Sequence, residues 1–221
     1  MNDKLIGYLS QILKTAVPLC QGLFDTIELL NFEVSNKIVG QGLSVIHCKP
    51  TLHYILVENM NNNFQIRLWD GIGFDNNNTK TQTAKMFATG GSTIMECVYV
   101  KNPKQVNGFE CGDLCIAKAI ELLTDKDPSE IEFATPERIR CDTASLLVRR
   151  EMIPYPKAVN KRHQYTIEKI IKFRLLRCCL LPKSYAPTIA CICNDEFHAK
   201  CVGIDSNDNT NGFLCSKCIG N

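Results

Sequence analysis

Thirteen cysteines stand in a chain of 221 residues, and their distribution constrains the chain more than any other feature. Six are scattered through the first 141 residues, whereas seven crowd between Cys178 and Cys218, where His198 also sits. An odd cysteine total behind an amino terminus unlike a signal peptide argues for metal ligands and a reactive thiol rather than a disulfide framework. A segment as short as the cysteine-rich tail gains little from burial, so bound metal would supply its folding energy. The chain therefore divides into a larger module over residues 1–157, a connector over 158–176 and a tail over 177–221.

The remaining composition excludes more than it assigns. A formal charge of +2 gives no strong pull towards nucleic acid or an anionic membrane surface. Apolar stretches such as "SLLV" and "HYILV" fall far short of the ~20 residues of a spanning helix. The opening "MNDKLIGYLSQILK" lacks the apolar core of a signal peptide. An intracellular protein of the nucleus or cytoplasm is expected, with no membrane partner and no strong nucleic-acid signal.

Leu5, Ile6, Leu9, Ile12 and Leu13 recur at helical spacing and predict an amphipathic opening helix. "LSVIHC", "LHYILVEN", "FQIRLWD" and "STIMECVYV" read as short strands, with "NNNTKTQTAKMFATGG" helix-compatible before the last of them. "GDLCIAKAIELL" after Cys111 suits a buried helix, and "TPERIRCDTASLLVRREMI" a second one, with Thr135 as N-cap and Pro136 at the first position. "KAVNKRHQYTIEKIIKFRLLR" is basic and reads as a partly helical connector.

The stretch "QVNGFECGDLC" poses a chemical question, because it places Cys111 at the start of a predicted helix. Unpaired N–H groups there favour a thiolate, the form of cysteine that acts as a nucleophile. Cys115, one turn further in, reads as a small core residue. A thiol nucleophile also needs a base, a group to orient it, and oxyanion donors. His53 opens one predicted strand and Asp70 closes the next, so antiparallel pairing would bring them to one edge of a sheet. Gln105 precedes Cys111 by six residues across an Asn-Gly turn that can fold its amide back towards the sulfur. His47 is a rival base, or a structural residue if "LSVIHC" lies in the interior.

In the order His, Asp, Gln, Cys, the segments "HYILV", "LWDGI" and "QVNGFECG" resemble the ubiquitin-like-protein-specific cysteine proteases, whose fold is shared with the adenoviral endopeptidase. "NDKLIGYLSQIL", "LSVIH" and "ELLTDKDPSEIEF" are similar to a branch associated with large DNA transposons. The resemblance spans about residues 1–157 and implies an α+β, papain-like cysteine peptidase. His53 would be the base, Asp70 its orienting carboxylate, Gln105 part of the oxyanion hole and Cys111 the nucleophile. The implied substrate is a protein, either a ubiquitin-like tail or a precursor protein of transposon or viral type. Three positions depart from the family pattern: Glu110 replaces an Asp, Tyr54 replaces a Trp that commonly covers the substrate's glycine tail, and Asp113 places a carboxylate in the helix's first turn. The last would oppose ionisation of the thiol if it faced the sulfur. A catalytically inactive relic acting through its tail as a protein- or chromatin-binding adaptor is the rival reading.

Seven cysteines and one histidine are the number that two tetrahedral zinc sites need. The order of Cys178 and Cys179, Cys191 and Cys193, His198 and Cys201, then Cys215 and Cys218 resembles the PHD finger, whose ligands interleave. That resemblance implies one structural zinc on Cys178, Cys179, His198 and Cys201, and another on Cys191, Cys193, Cys215 and Cys218. Adjacent Cys178 and Cys179 depart from the usual spacing, so one or two ions are expected. Phe213 stands nearest the place of the aromatic that precedes the last pair. A protein or histone peptide is the implied partner of this tail.

Overall fold

The structure is a computed structural model that describes residues 2–27, 29, 37–48, 51–60, 65–70, 76–100, 110–157, 167–205 and 212–219. Its first element, helix α1 (Asp3–Ala16), is capped by the Asn2 side chain, which accepts from the Leu5 N–H, and buries Ile6, Leu9, Ile12 and Leu13 along one stripe. Five strands follow: β1 (Gln21–Gly22), β2 (Gly42–Cys48), β3 (His53–Glu58), β4 (Ile66–Trp69) and β5 (Ile94–Val100). Helix α2 (Asn77–Met86) lies between β4 and β5, while α3 (Cys111–Leu123) and α4 (Pro136–Arg149) come after β5. The order along the sheet follows the chain, with β1–β2 and β4–β5 parallel and β2–β3 and β3–β4 antiparallel.

Alternation in the strands sorts two cores. Val45, Tyr54, Leu56 and Trp69 meet α1, α3 and α4 on one face; Ile46, Ile55, Val57 and Leu68 meet α2 on the other. Strands covered on both faces read as nearly continuous apolar runs, which is why "HYILVE" is buried at every position. A charged pair interrupts it: Glu58 receives Arg67 across the β3–β4 register and the Trp69 Nε1–H at 3.2 Å, so the buried carboxylate has partners.

The basic connector is not helical where the structure describes it. Ile167–Leu176 forms strand β6, antiparallel to β5 from Ile94↔Arg174 to Val100↔Ile167. Ile171, Phe173 and Leu175 alternate with exposed Lys172 and Arg174, and the open edge of β5 selects the period of two. Strand β7 (Leu181–Pro182) continues the sheet beyond β6. A separate ribbon of β8 (Thr188–Ala190) and β9 (Glu196–His198) and a short helix α5 (Ser216–Ile219) complete the tail. No helix among the described residues is long and apolar enough to cross a membrane.

Candidate active site and metal centres

Cys111 is the first residue of α3, and His53 the first of β3. Trp69 pairs with Leu56, so Asp70, one residue on, lies beside the start of β3. His53 Nε2 and Asp70 Oδ1 are 2.8 Å apart, both residues almost wholly buried. The carboxylate therefore orients the ring, and the Cys111 thiol interacts with the same imidazole.

Burial alone would push the Cys111 thiol up, but the bond to His53 and backbone N–H groups of Tyr54 and Gly112 bring it below its ordinary value. Burial likewise opposes charge on His53, yet hydrogen bonds to Asp70 and Cys111 raise the imidazole to about 9. Together these effects favour a thiolate–imidazolium pair, with α3's amino terminus behind the sulfur. Cys115, wholly buried, is pushed far up and stays protonated. Gln105 lies outside the described residues.

The three departures have separate explanations. Asp113 turns away from the thiol towards α4, where Thr143 Oγ1 donates to Asp113 Oδ1 at 2.7 Å and accepts from the Tyr155 hydroxyl at 2.8 Å. Desolvation raises this carboxyl above its ordinary value, opposed by the Thr143 hydrogen bond. Glu110 occupies the N-cap position of α3 without a side-chain cap, and its Oε1 faces Arg140 Nη2 at 3.8 Å. Tyr54 is buried: its hydroxyl donates to Asp3 Oδ1 at 3.1 Å and its ring stacks on His47 at 4.6 Å. His47 is thus engaged by Asp3 of α1, 2.9 Å from Nδ1, on the opposite side of the strand pair from His53. The Asp3–His47–Tyr54 cluster and the Tyr54 N–H on the sulfur had no signal in the sequence, since each joins distant segments.

No family profile matches the sequence, and no curated protein does. Solved structures do. SUMO protease Ulp1 with its catalytic cysteine oxidized to a sulfonic acid superposes with a TM-score of 0.53 at 16% identity, covering 67% of this chain and 78% of that one. The sulfenic-acid form gives 0.50 at 14%, covering 67% and 77%. The chain has a Ulp1-like cysteine protease fold. Within that fold, His53, Asp70 and Cys111 meet at one end of the sheet.

After β6 lie two groups of side chains that could hold a metal ion. Cys178, Cys179, His198 and Cys201 form one, and Cys191, Cys193, Cys215 and Cys218 the other, with ligand atoms in each within 4.8 Å of one another. In the first, Cys178 and Cys179 sulfurs are 3.9 Å apart and Cys179 Sγ is 3.2 Å from His198 Nδ1. The tight turn after β6, with Leu180 at φ 55°, is what lets adjacent cysteines converge. His198 Nε2 donates to the Pro182 carbonyl at 3.0 Å, which fixes the tautomer whose Nδ1 is free to ligate. In the second, the Cys191–Cys218 distance is 3.6 Å and the Cys193–Cys215 and Cys215–Cys218 distances 3.8 Å. Phe213 packs edge-on against Phe197 at 5.8 Å.

Proposed function

We propose that the chain is a cysteine peptidase that cleaves a peptide or isopeptide bond in a protein substrate, a ubiquitin-like tail or a precursor protein. The observation that carries this reading is the 2.8 Å contact of His53 Nε2 with Asp70 Oδ1 beside Cys111 at the start of α3, with the thiol lowered and the imidazole raised. Cys111 thiolate attacks the carbonyl carbon, and the oxyanion is held by backbone N–H at the start of α3 and by Gln105. The His53 imidazolium gives its proton to the leaving amine, and the acyl-thioester forms as the C–N bond breaks. Water, deprotonated by His53, then attacks the thioester, returning acid and free thiol. Asp70 keeps its charge throughout and holds the ring in place.

The tail is proposed to bind structural zinc at both groups. At Zn–S bonds of about 2.3 Å, a tetrahedron has S–S edges of about 3.8 Å, the spacing of the sulfurs here. The interleaved ligand order supports a PHD-type arrangement, with a protein or histone peptide as its partner.

Labelling the purified protein with a ubiquitin-like vinyl-sulfone probe beside iodoacetamide, across pH, tests the enzyme reading. Cys111 is expected to alkylate at pH values where an ordinary thiol of pKa 9.0 is protonated, and His53→Ala should remove that low-pH reactivity. Probe capture at Cys111 supports ubiquitin-like tails, and alkylation alone supports a precursor substrate. Reactivity at Cys111 no greater than at exposed Cys141 would refute the peptidase and favour the adaptor reading.

A further inference from the structure

The two metal groups occupy different places in the fold. All four ligands of the second fall between Cys191 and Cys218, within the tail. The first draws Cys178 and Cys179 from the turn joining β6 to β7, strands of the protease sheet, and His198 and Cys201 from the end of the β8–β9 ribbon. Its metal would bridge these two parts of the chain.

Contacts around His198 lead back into the sheet and to α2. Its Nε2 is bonded to Pro182 of β7, and β7 pairs with β6 at Leu175↔Pro182 and Leu176↔Leu181. Its ring meets Tyr185 edge-on at 5.5 Å, and Tyr185 in turn carries Lys85 Nζ, from the last turn of α2, 5.3 Å above its face. Leu181 belongs to the core formed with Met86 and Phe87, against which Cys179 and Leu180 also pack. At its other end, α2 holds the site: Thr79 Oγ1 lies 3.1 Å from Cys48 Sγ, and Cys48 is the register partner of His53.

We infer that the metal of the first group is a staple of the protease sheet, holding β6, β7 and α2 in place, whereas the second metal orders only the tail. This inference rests on the zinc reading above and assigns the first ion a duty towards the peptidase fold. Without the ion, four ligands lose their common partner, the β6–β7 turn is released and α2 loses the surface that Leu181 and Tyr185 provide. Metal-binding free energy is folding free energy wherever the site is not preformed, so its loss is felt by the elements the ligands sit on.

Native mass spectrometry and hydrogen–deuterium exchange on the full chain, as purified with zinc, separate the possibilities. Cys179→Ser is expected to lose one zinc and to speed exchange in β6 and α2 about tenfold or more, as a local opening would. Cys215→Ser is expected to lose one zinc and speed exchange only within residues 191–219. If Cys179→Ser does not fold, brief chelation of the folded wild-type protein, followed by exchange as zinc leaves, gives the same readout, with α2 and β6 expected to open. Zinc lost from the first group with exchange in α2 and β6 unchanged would overturn the staple while leaving the zinc reading intact. A protein that binds no zinc overturns both.

Discussion

Lys118 lies on α3 two turns beyond Cys111, 6% exposed, with no ion pair or hydrogen bond among the described residues. Desolvation lowers its amine from 10.5 to about 8, only partly opposed by its neighbours Cys115 and Asp70. Between those two values the unfolded chain binds more protons than the folded one, so this residue makes stability rise with pH over that window. Below pH 8 the depressed amine costs on the order of 3 kcal/mol, since each tenfold loss of proton affinity is worth about 1.4 kcal/mol. Lys118→Met is expected to stabilise the protein by about 1–3 kcal/mol at pH 7 and by little near pH 10.5. Urea midpoints of both proteins across pH check this. Their difference isolates Lys118, because Cys97 and Cys115, pushed up by burial, act in the opposite direction in both. A gain unchanged with pH would show that the amine is not desolvated. Cys111 and His53 were legible from residue type and spacing; Lys118 was not, because a lysine in a helical pattern looks solvated until the elements around it are known.

Among the elements, α1 is fastened by more than its apolar stripe. Asp3 in its first turn accepts from Tyr54 and faces His47, joining the helix to β2 and β3 beside the candidate nucleophile. Asp3→Ala leaves the buried Tyr54 hydroxyl without its acceptor, at an expected cost of about 1–3 kcal/mol. Tyr54→Phe removes donor and need together and should cost under about 1 kcal/mol. Thermal unfolding of the two variants checks the contrast, and equal losses would mean that Tyr54 finds another acceptor when Asp3 is absent. Strands β2 to β5 were readable from β-branched runs and turn residues, and α1, α3 and α4 from their periodicity. The basic connector reads as partly helical, but it pairs as a strand with an edge more than sixty residues earlier, at Val100–Ile94. No local pattern announces a partner that far away.

Across the whole molecule, the sheet runs through the boundary that cysteine distribution implies. A chain ended after Lys157 would retain α3 and the candidate triad but would strip β5 of its β6 partner, exposing a seven-residue apolar strand edge. Such a truncation is expected to aggregate or to unfold at much lower temperature than the full chain, in light scattering and circular dichroism. A soluble, cooperatively folding product of that length would show that β6 is dispensable. The candidate chemistry of this protein is already written in the unfolded chain: a thiol at a helix start, a histidine and an aspartate at strand ends, and eight side chains able to hold metal ions in an order that interleaves. These are properties of residue type and short spacing, which local physics reads. Folding settled the rest: Asp113 turns to Thr143 and away from the sulfur, Asp3 claims His47, Lys118 is desolvated, and the connector is a strand. Each of those depends on which distant surfaces meet, and burial, pairing and desolvation exist only once the chain has closed on itself.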